Sequence, residues 1–232
     1  MKKSRSKMIE EGPALTNKGR KRPGRPEGFT TSREDILDAA EIVFSELGFS
    51  GTTLRKVADK IGVTNALIGY YFKNKENLFR EVFLRKGTEI ATARAEGLKR
   101  LKADNHVPSV ANLVRSFLEP SIRLRESAQG RAFLRLHSRL HMEPEALAFE
   151  LRSQVYDTTT RAYAEAFLAA LPHLDAESVY MRMSLMIGSY LYTFSDTNRL
   201  DELVPQKNKR KNINLDIEEI VAYVSAGMHA SK

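Results

Sequence analysis

The chain has 232 residues, enough to bury a core in one compact domain or two small ones, and its 37 Lys and Arg outweigh 29 Asp and Glu for a net charge of +8. It has no cysteine, which excludes disulfides, thiolate metal sites and cysteine nucleophiles. No apolar run approaches the roughly 20 residues of a membrane span, and the basic N-terminus is not followed by the apolar stretch of a secretory signal, so a cytoplasmic protein without membrane contact is expected.

The first segment, residues 1–30, reads as a basic unfolded arm. Lys2, Lys3, Arg5, Lys7, Lys18, Arg20, Lys21, Arg22 and Arg25 stand against Glu10, Glu11 and Glu27, so 9 − 3 = 6 of the eight net charges sit here. Pro13, Pro23, Pro26 and four glycines interrupt any helix or strand. Such charge suits an anionic partner, although a solubilising tail has the same composition. Arg22-Pro23-Gly24-Arg25-Pro26 resembles the core of AT-hook peptides, and that resemblance implies that Arg22 and Arg25 lie along a narrow minor groove.

Helical spacing begins at Ser32, and no run of alternating residues marks a strand; the expected class is all-α. A first helix starts at Thr31 or Ser32, where Thr31 and Glu34 have capping-box spacing. Ile36, Leu37, Ala39, Ala40, Val43, Phe44 and Leu47 line one face. Gly48 ends the helix, and Phe49 folds back on it.

Two short helices follow, at Leu54–Ile61 and Asn65–Phe72, joined by Gly62-Val63-Thr64. A steep crossing within so short a turn needs a small residue at the contact, which Ala58 supplies, and a left-handed residue, which Gly62 supplies. Val57, Ile61 and Val63 form the apolar seam. Thr64 caps the second helix and leaves Asn65 at an exposed amino end, where free N–H groups and the helix dipole favour phosphate oxygens. The first turn of such a helix is the part that enters a major groove, although a plain helical hairpin would show the same spacing. Asn74 then caps a long helix over Lys75 to about Leu101. Further helices are predicted at about 107–125, 128–141, 144–171, 175–195 and 216–230, nine in all, with a basic loop at Lys207–Lys211.

In order, Gly48-Phe49, Thr52-Thr53, Val57-Ala58, Gly62-Val63-Thr64, Tyr70-Tyr71-Phe72 and Lys73-Asn74-Lys75-Glu76-Asn77-Leu78 resemble the N-terminal pattern of the TetR family of repressors over residues 32–83. The resemblance implies a three-helix helix-turn-helix domain over 31–77 and a helical ligand-binding and dimerisation domain over 78–232. It implies a homodimeric, ligand-responsive DNA-binding regulator of transcription, not an enzyme. By position, Thr53, Arg55, Tyr70, Tyr71 and Lys75 are expected to touch phosphates. Thr64, Asn65, Ala66 and Gly69 are expected on the surface that meets the operator. Tyr71 stands where the family usually has His, and its hydroxyl can still donate to phosphate. Gly69 removes a side chain and Leu67 is apolar, so direct readout leans on Asn65 and on contact with thymine methyls.

In the C-terminal part, the helix predicted at 175–195 is apolar on nearly every face and must be buried in a core or against a partner subunit. Ile217, Ile220, Val221 and Val224 give 216–230 a second stripe. In the resembled family two such helices per subunit pair across the dimer. Residues 133–194 are also similar to the fatty-acid-responsive TetR branch. That likeness implies a small apolar effector, acyl or aromatic, in a pocket lined by Phe117, Phe133, His137, Tyr156, Tyr163, Met186 and Tyr190. Aromatics and methionines at helical spacing also make ordinary core. His137 and His141 share a helical face and, with Glu143 or Glu150, offer a metal-enzyme reading. There is no H-E-x-x-H and no identifiable third ligand, so neither metal nor cofactor is expected.

Overall fold

The computed structural model describes residues 31–140, 143–195, 200–205 and 217–231. The basic arm with Arg22 and Arg25, His141 and the Lys207–Lys211 loop lie outside the described residues. Among those described there are helices and no strand: α1 (Arg33–Gly51), α2 (Leu54–Ile61), α3 (Asn65–Phe72), α4 (Lys75–Leu101), α5 (Val110–Leu124), α6 (Ala128–Arg139), α7 (Glu145–Ala170), α8 (Ala176–Phe194), α9 (Leu200–Leu203) and α10 (Ile217–His229). The single turn α9 has no counterpart among the nine predicted helices, because four residues are too few to show a period.

Local chemistry sets the boundaries. The cap of α1 is Ser32, not Thr31: its Oγ accepts from the Asp35 N–H at 3.1 Å, while Asp35 accepts from the Ser32 N–H at 2.8 Å. Both pairs have the same spacing, so periodicity alone could not choose between them. Gly48 breaks the helix as expected, at φ 70° and ψ 178°, but one further turn runs on to Gly51. Phe49 folds back, its ring 6.5 Å from Phe44 and 5.2 Å from Phe79.

Two apolar clusters fill the described body. The first joins α1–α3 to the opening half of α4 and to α6 and α7, through Phe44, Ile68, Phe72, Phe83, Phe133 and Leu151. The second joins the end of α4 to α5, α7, α8 and α10, through Leu113, Phe117, Phe167, Met186, Phe194 and Val224. α4 is therefore the shared wall. Its first half carries Leu78, Phe79 and Val82 into one cluster, and Leu98 enters the other.

Among the described residues α8 is not buried all round. Val179, Met183, Met186 and Tyr190 enter the core, while Tyr180, Met181, Leu185 and Tyr192 stand exposed on the opposite face. α10 divides likewise, with Val221, Val224 and Met228 inside and Tyr223 outside.

Candidate nucleic-acid interface

The turn between α2 and α3 follows from three residues. Gly62 takes φ 70° and ψ 32°, a left-handed cap whose N–H donates to the Ala58 carbonyl. Ala58 and Val57 are buried at the crossing. Thr64 Oγ1 then accepts from the Leu67 N–H at 3.3 Å, which caps α3. Thr53 caps α2 in the same way, accepting from the Lys56 N–H at 3.2 Å.

α3 is held from one side only. Ile68 and Phe72 are fully buried and Leu67 is partly so, whereas Thr64, Asn65 and Ala66 are exposed and Tyr70 is 81% exposed. A Cβ added at Gly69 would meet nothing within 4 Å, so that turn is open as well. On α2, Thr53, Arg55, Lys56 and Lys60 are exposed. Among the described residues Arg55 makes only a long 3.9 Å ion pair with Asp59, and Lys56 Nζ donates to the Gly51 carbonyl at 2.8 Å. Lys73, at the carboxyl end of α3, adopts a left-handed φ of 63° and is exposed.

Two positions turn partly inward. Tyr71 is half-buried against the first cluster, 5.4 Å from the Tyr70 ring and 6.1 Å from Phe72. Lys75 Nζ donates to the Phe49 carbonyl at 2.9 Å and sits 4.2 Å from the centre of the Phe49 ring. That ammonium therefore fastens the turn after α1 to the start of α4.

α1 is gripped from behind by the C-terminal helices. Gln129 Nε2 donates to the Asp38 carbonyl at 3.3 Å, Arg139 Nη1 to the Glu46 carbonyl at 2.9 Å, and the Phe49 N–H to Glu143 Oε1 at 2.8 Å. Arg80 on α4 makes a two-pronged bond to Glu150 on α7. Glu143 and Glu150, the carboxylates considered for a metal, are thus occupied in joining helices, and the described residues contain no group of three metal-ligating side chains. On α1, Glu41 is fully buried; burial pushes its carboxyl up to about 7, against the pull of Arg85, which donates to its Oε2 at 3.1 Å. Arg85 also pairs with Asp38 and Glu34.

The model for "Bacterial regulatory proteins, tetR family" matches residues 36–82, and the model "Tetracyclin repressor-like, C-terminal domain" matches residues 115–227. The chain belongs to the TetR family of transcriptional regulators. It is 24% identical over 184 residues to IcaR of Staphylococcus epidermidis, described as a negative transcriptional regulator of a biofilm operon; the match covers 78% of this chain and 93% of that one. AcrR of Shigella flexneri is 42% identical over 52 residues, 22% of this chain and 24% of its own. Among solved structures, Mycobacterium smegmatis AmtR superposes with a TM-score of 0.60 at 20% identity, covering 91% of each chain. The fatty acid degradation regulator FadR of Bacillus halodurans gives 0.59 at 16% identity, covering 87% of this chain and all of that one. These two likenesses are of fold, and the second does not carry an effector to this TetR-family regulator.

In the C-terminal part, Phe117, Phe133, His137, Tyr156, Tyr163, Met186 and Tyr190 are all buried. His137 stacks on Tyr156 at 5.2 Å, beside Phe83 and Phe133. A cleft of about 650 Å³ opens elsewhere, between α6, α7 and α8, lined by Arg135, Arg139, Arg152, Ile187, Leu191 and Tyr192. A smaller groove of about 250 Å³ lies between α4 and α7 and reaches Tyr163. The residue that the sequence reading missed is Arg94. It falls on the inward stripe of α4 with Phe83, Gly87, Ile90 and Leu98, and a cation in register with an apolar stripe was the available signal.

Proposed function

We propose that this regulator is a repressor that binds a palindromic operator as a homodimer and leaves it when a small effector occupies the C-terminal part. The observation that carries the reading is α3. Its capped amino end and outer face (Thr64, Asn65, Ala66, Gly69, Tyr70) are open, beside an α2 whose Thr53 and Arg55 are also open, while its inner face is locked in the core. A helix so supported can be pressed into a major groove, its N–H groups and flanking cations meeting phosphates while Asn65 reaches base edges. Tyr70 and Arg55 are then phosphate contacts. Lys75 acts mainly by holding the turn after α1 to the start of α4, and Tyr71 by packing α3 against the first cluster. Thin direct readout makes phosphate contacts and groove shape correspondingly important. Arg22 and Arg25 would add minor-groove contacts beside the half-site.

Dimerisation is supported by the exposed apolar faces of α8 and α10, which a second copy would cover. Open Gly188 and Gly227 on these helices leave room for close helix approach. Two copies of α3 then lie one duplex turn apart, about 34–36 Å.

Footprinting on the DNA upstream of its own gene tests the reading. Two protected half-sites centred about 10 bp apart support it. Protection that is uniform along the DNA, or lost with nonspecific competitor, contradicts it.

A further inference from the structure

Arg94 is 2% exposed, and among the described residues no carboxylate forms an ion pair with it. Its guanidinium is held by neutral groups. Nε donates to the Phe117 carbonyl at 2.8 Å, and Nη2 to the Tyr190 hydroxyl at 3.2 Å and more distantly to Ser121 Oγ at 3.5 Å. The Phe117 ring covers it at 3.7 Å, with Tyr156 and Tyr190 at 5.7 Å each. Nη1 makes no hydrogen bond among the described residues. The Tyr156 hydroxyl is buried with no partner there either. Burial pushes that phenol well above its ordinary range, so it stays a donor at physiological pH. A buried cation is ordinarily matched by an anion, since neutral acceptors and ring faces offset only part of its desolvation.

The groove between α4 and α7 adjoins the Arg94 backbone, through its neighbour Ala95. It is lined by Ala95, Leu98, Thr159 and Tyr163, with Lys99 and Lys102 and no acidic residue among its lining. Tyr163, one of its lining residues, donates to the Arg94 carbonyl at 3.1 Å.

We infer that Arg94 and Tyr156 form the head-group site for an anionic effector, a carboxylate carried on an apolar body, whose oxygens accept from Arg94 Nη1 and the Tyr156 hydroxyl. This rests on the effector-released repressor reading and names the effector class for it. Lys99 and Lys102 draw the anion to the groove, and the aromatic rings receive its apolar part. Because Arg94 sits on α4, the wall shared by both clusters, drawing its guanidinium toward an anion bears directly on the helix that follows α3.

The probes are decanoate and 3-phenylpropionate, each paired with its neutral alcohol, added to the full-length protein alone and to its complex with operator DNA. Thermal stabilisation and DNA release by a carboxylate but not by its alcohol are expected. Arg94→Gln and Tyr156→Phe should each weaken the carboxylate by roughly tenfold or more, as loss of a buried charged hydrogen bond does, and Arg94→Lys should recover part of the loss. Tyr156→Phe removes one unpartnered oxygen, so it keeps the test open if Arg94→Gln does not fold. Stabilisation by neither carboxylate, equal response to acid and alcohol, or carboxylate binding unchanged in Tyr156→Phe overturns the anion site. If an alcohol releases DNA from wild type and from Arg94→Gln alike, the repressor reading stands without it. If wild type shows no selective DNA binding, the underlying reading fails.

Discussion

The Phe49 N–H donates to Glu143 Oε1 at 2.8 Å, joining residues 94 positions apart. The bond ties the turn that closes α1 to the corner between α6 and α7, and the same oxygen lies 3.1 Å from where a Cβ on Gly48 would stand. Removing the acceptor with Glu143→Ala leaves a part-buried amide unpaired and should cost about 1–2 kcal/mol in urea denaturation. Glu143→Gln keeps an oxygen in place and should cost less than half as much. Equal losses in the two variants would show that the carboxylate does not serve as this acceptor.

Gly48 itself is constrained twice, by its φ of 70° and by that close carboxylate. Gly48→Ala should destabilise by about 1–3 kcal/mol, since an L side chain at this φ is strained even in open space. Gly69 makes the opposite case on α3, where a methyl would meet nothing. Gly69→Ala should stabilise by about 0.5–1 kcal/mol through helix propensity while weakening operator binding, because the methyl projects from the proposed reading surface. Denaturation and anisotropy on one sample check both halves, and a gain in stability without loss of affinity would remove Gly69 from the interface.

The raised Glu41 carboxyl gives a pH dependence with a definite sign. The folded chain binds this proton up to about pH 7, whereas the unfolded chain releases it near 4.5. Over that interval the folded state holds more protons, so its stability falls as pH rises from about 4.5 to 7 and the favourable contribution is complete only below the lower value. Glu41→Gln removes this component, so its Tm should decline less steeply than wild type across the same window. Parallel Tm curves from pH 4.5 to 7.5 would contradict the buried, proton-holding state.

Leu185 is 64% exposed and Tyr223 is 73% exposed, on α8 and α10 respectively. Within one chain a charge at either position costs little. Leu185→Lys should therefore convert the proposed dimer to monomer in sedimentation while leaving the helical circular dichroism unchanged. A variant that sediments as wild type would place the subunit contact elsewhere.

Much of the fold is legible in the residue pattern because helices write themselves in period and punctuation. Gly62 and Asn74 mark boundaries that the structure keeps at Ile61/Gly62 and Asn74/Lys75. Ser32 against Thr31 shows the limit, since neighbouring polar residues offer equivalent caps and only packing selects one. The outward face of α3 follows from the buried spacing of Ile68 and Phe72, and so could be placed in advance. The inward turn of Lys75 could not, because the Phe49 carbonyl that holds it is 26 residues away. The aromatic residues read as a pocket lining are buried in the C-terminal part. Periodicity cannot say whether buried rings line a space or fill it, and here they close round Arg94 while the larger cleft opens between other faces.

The central claim is that the outer face of α3 meets the duplex and reads part of it. Fluorescence anisotropy of wild type and Asn65→Ala, each titrated onto operator and onto a scrambled duplex at one salt concentration, tests it most directly. Asn65→Ala should weaken operator binding by about 1–3 kcal/mol and leave scrambled DNA nearly unchanged, because Asn65 is assigned to base edges while the cations serve both duplexes. Equal affinity of the two proteins for operator, or an equal loss on both duplexes, would contradict the account.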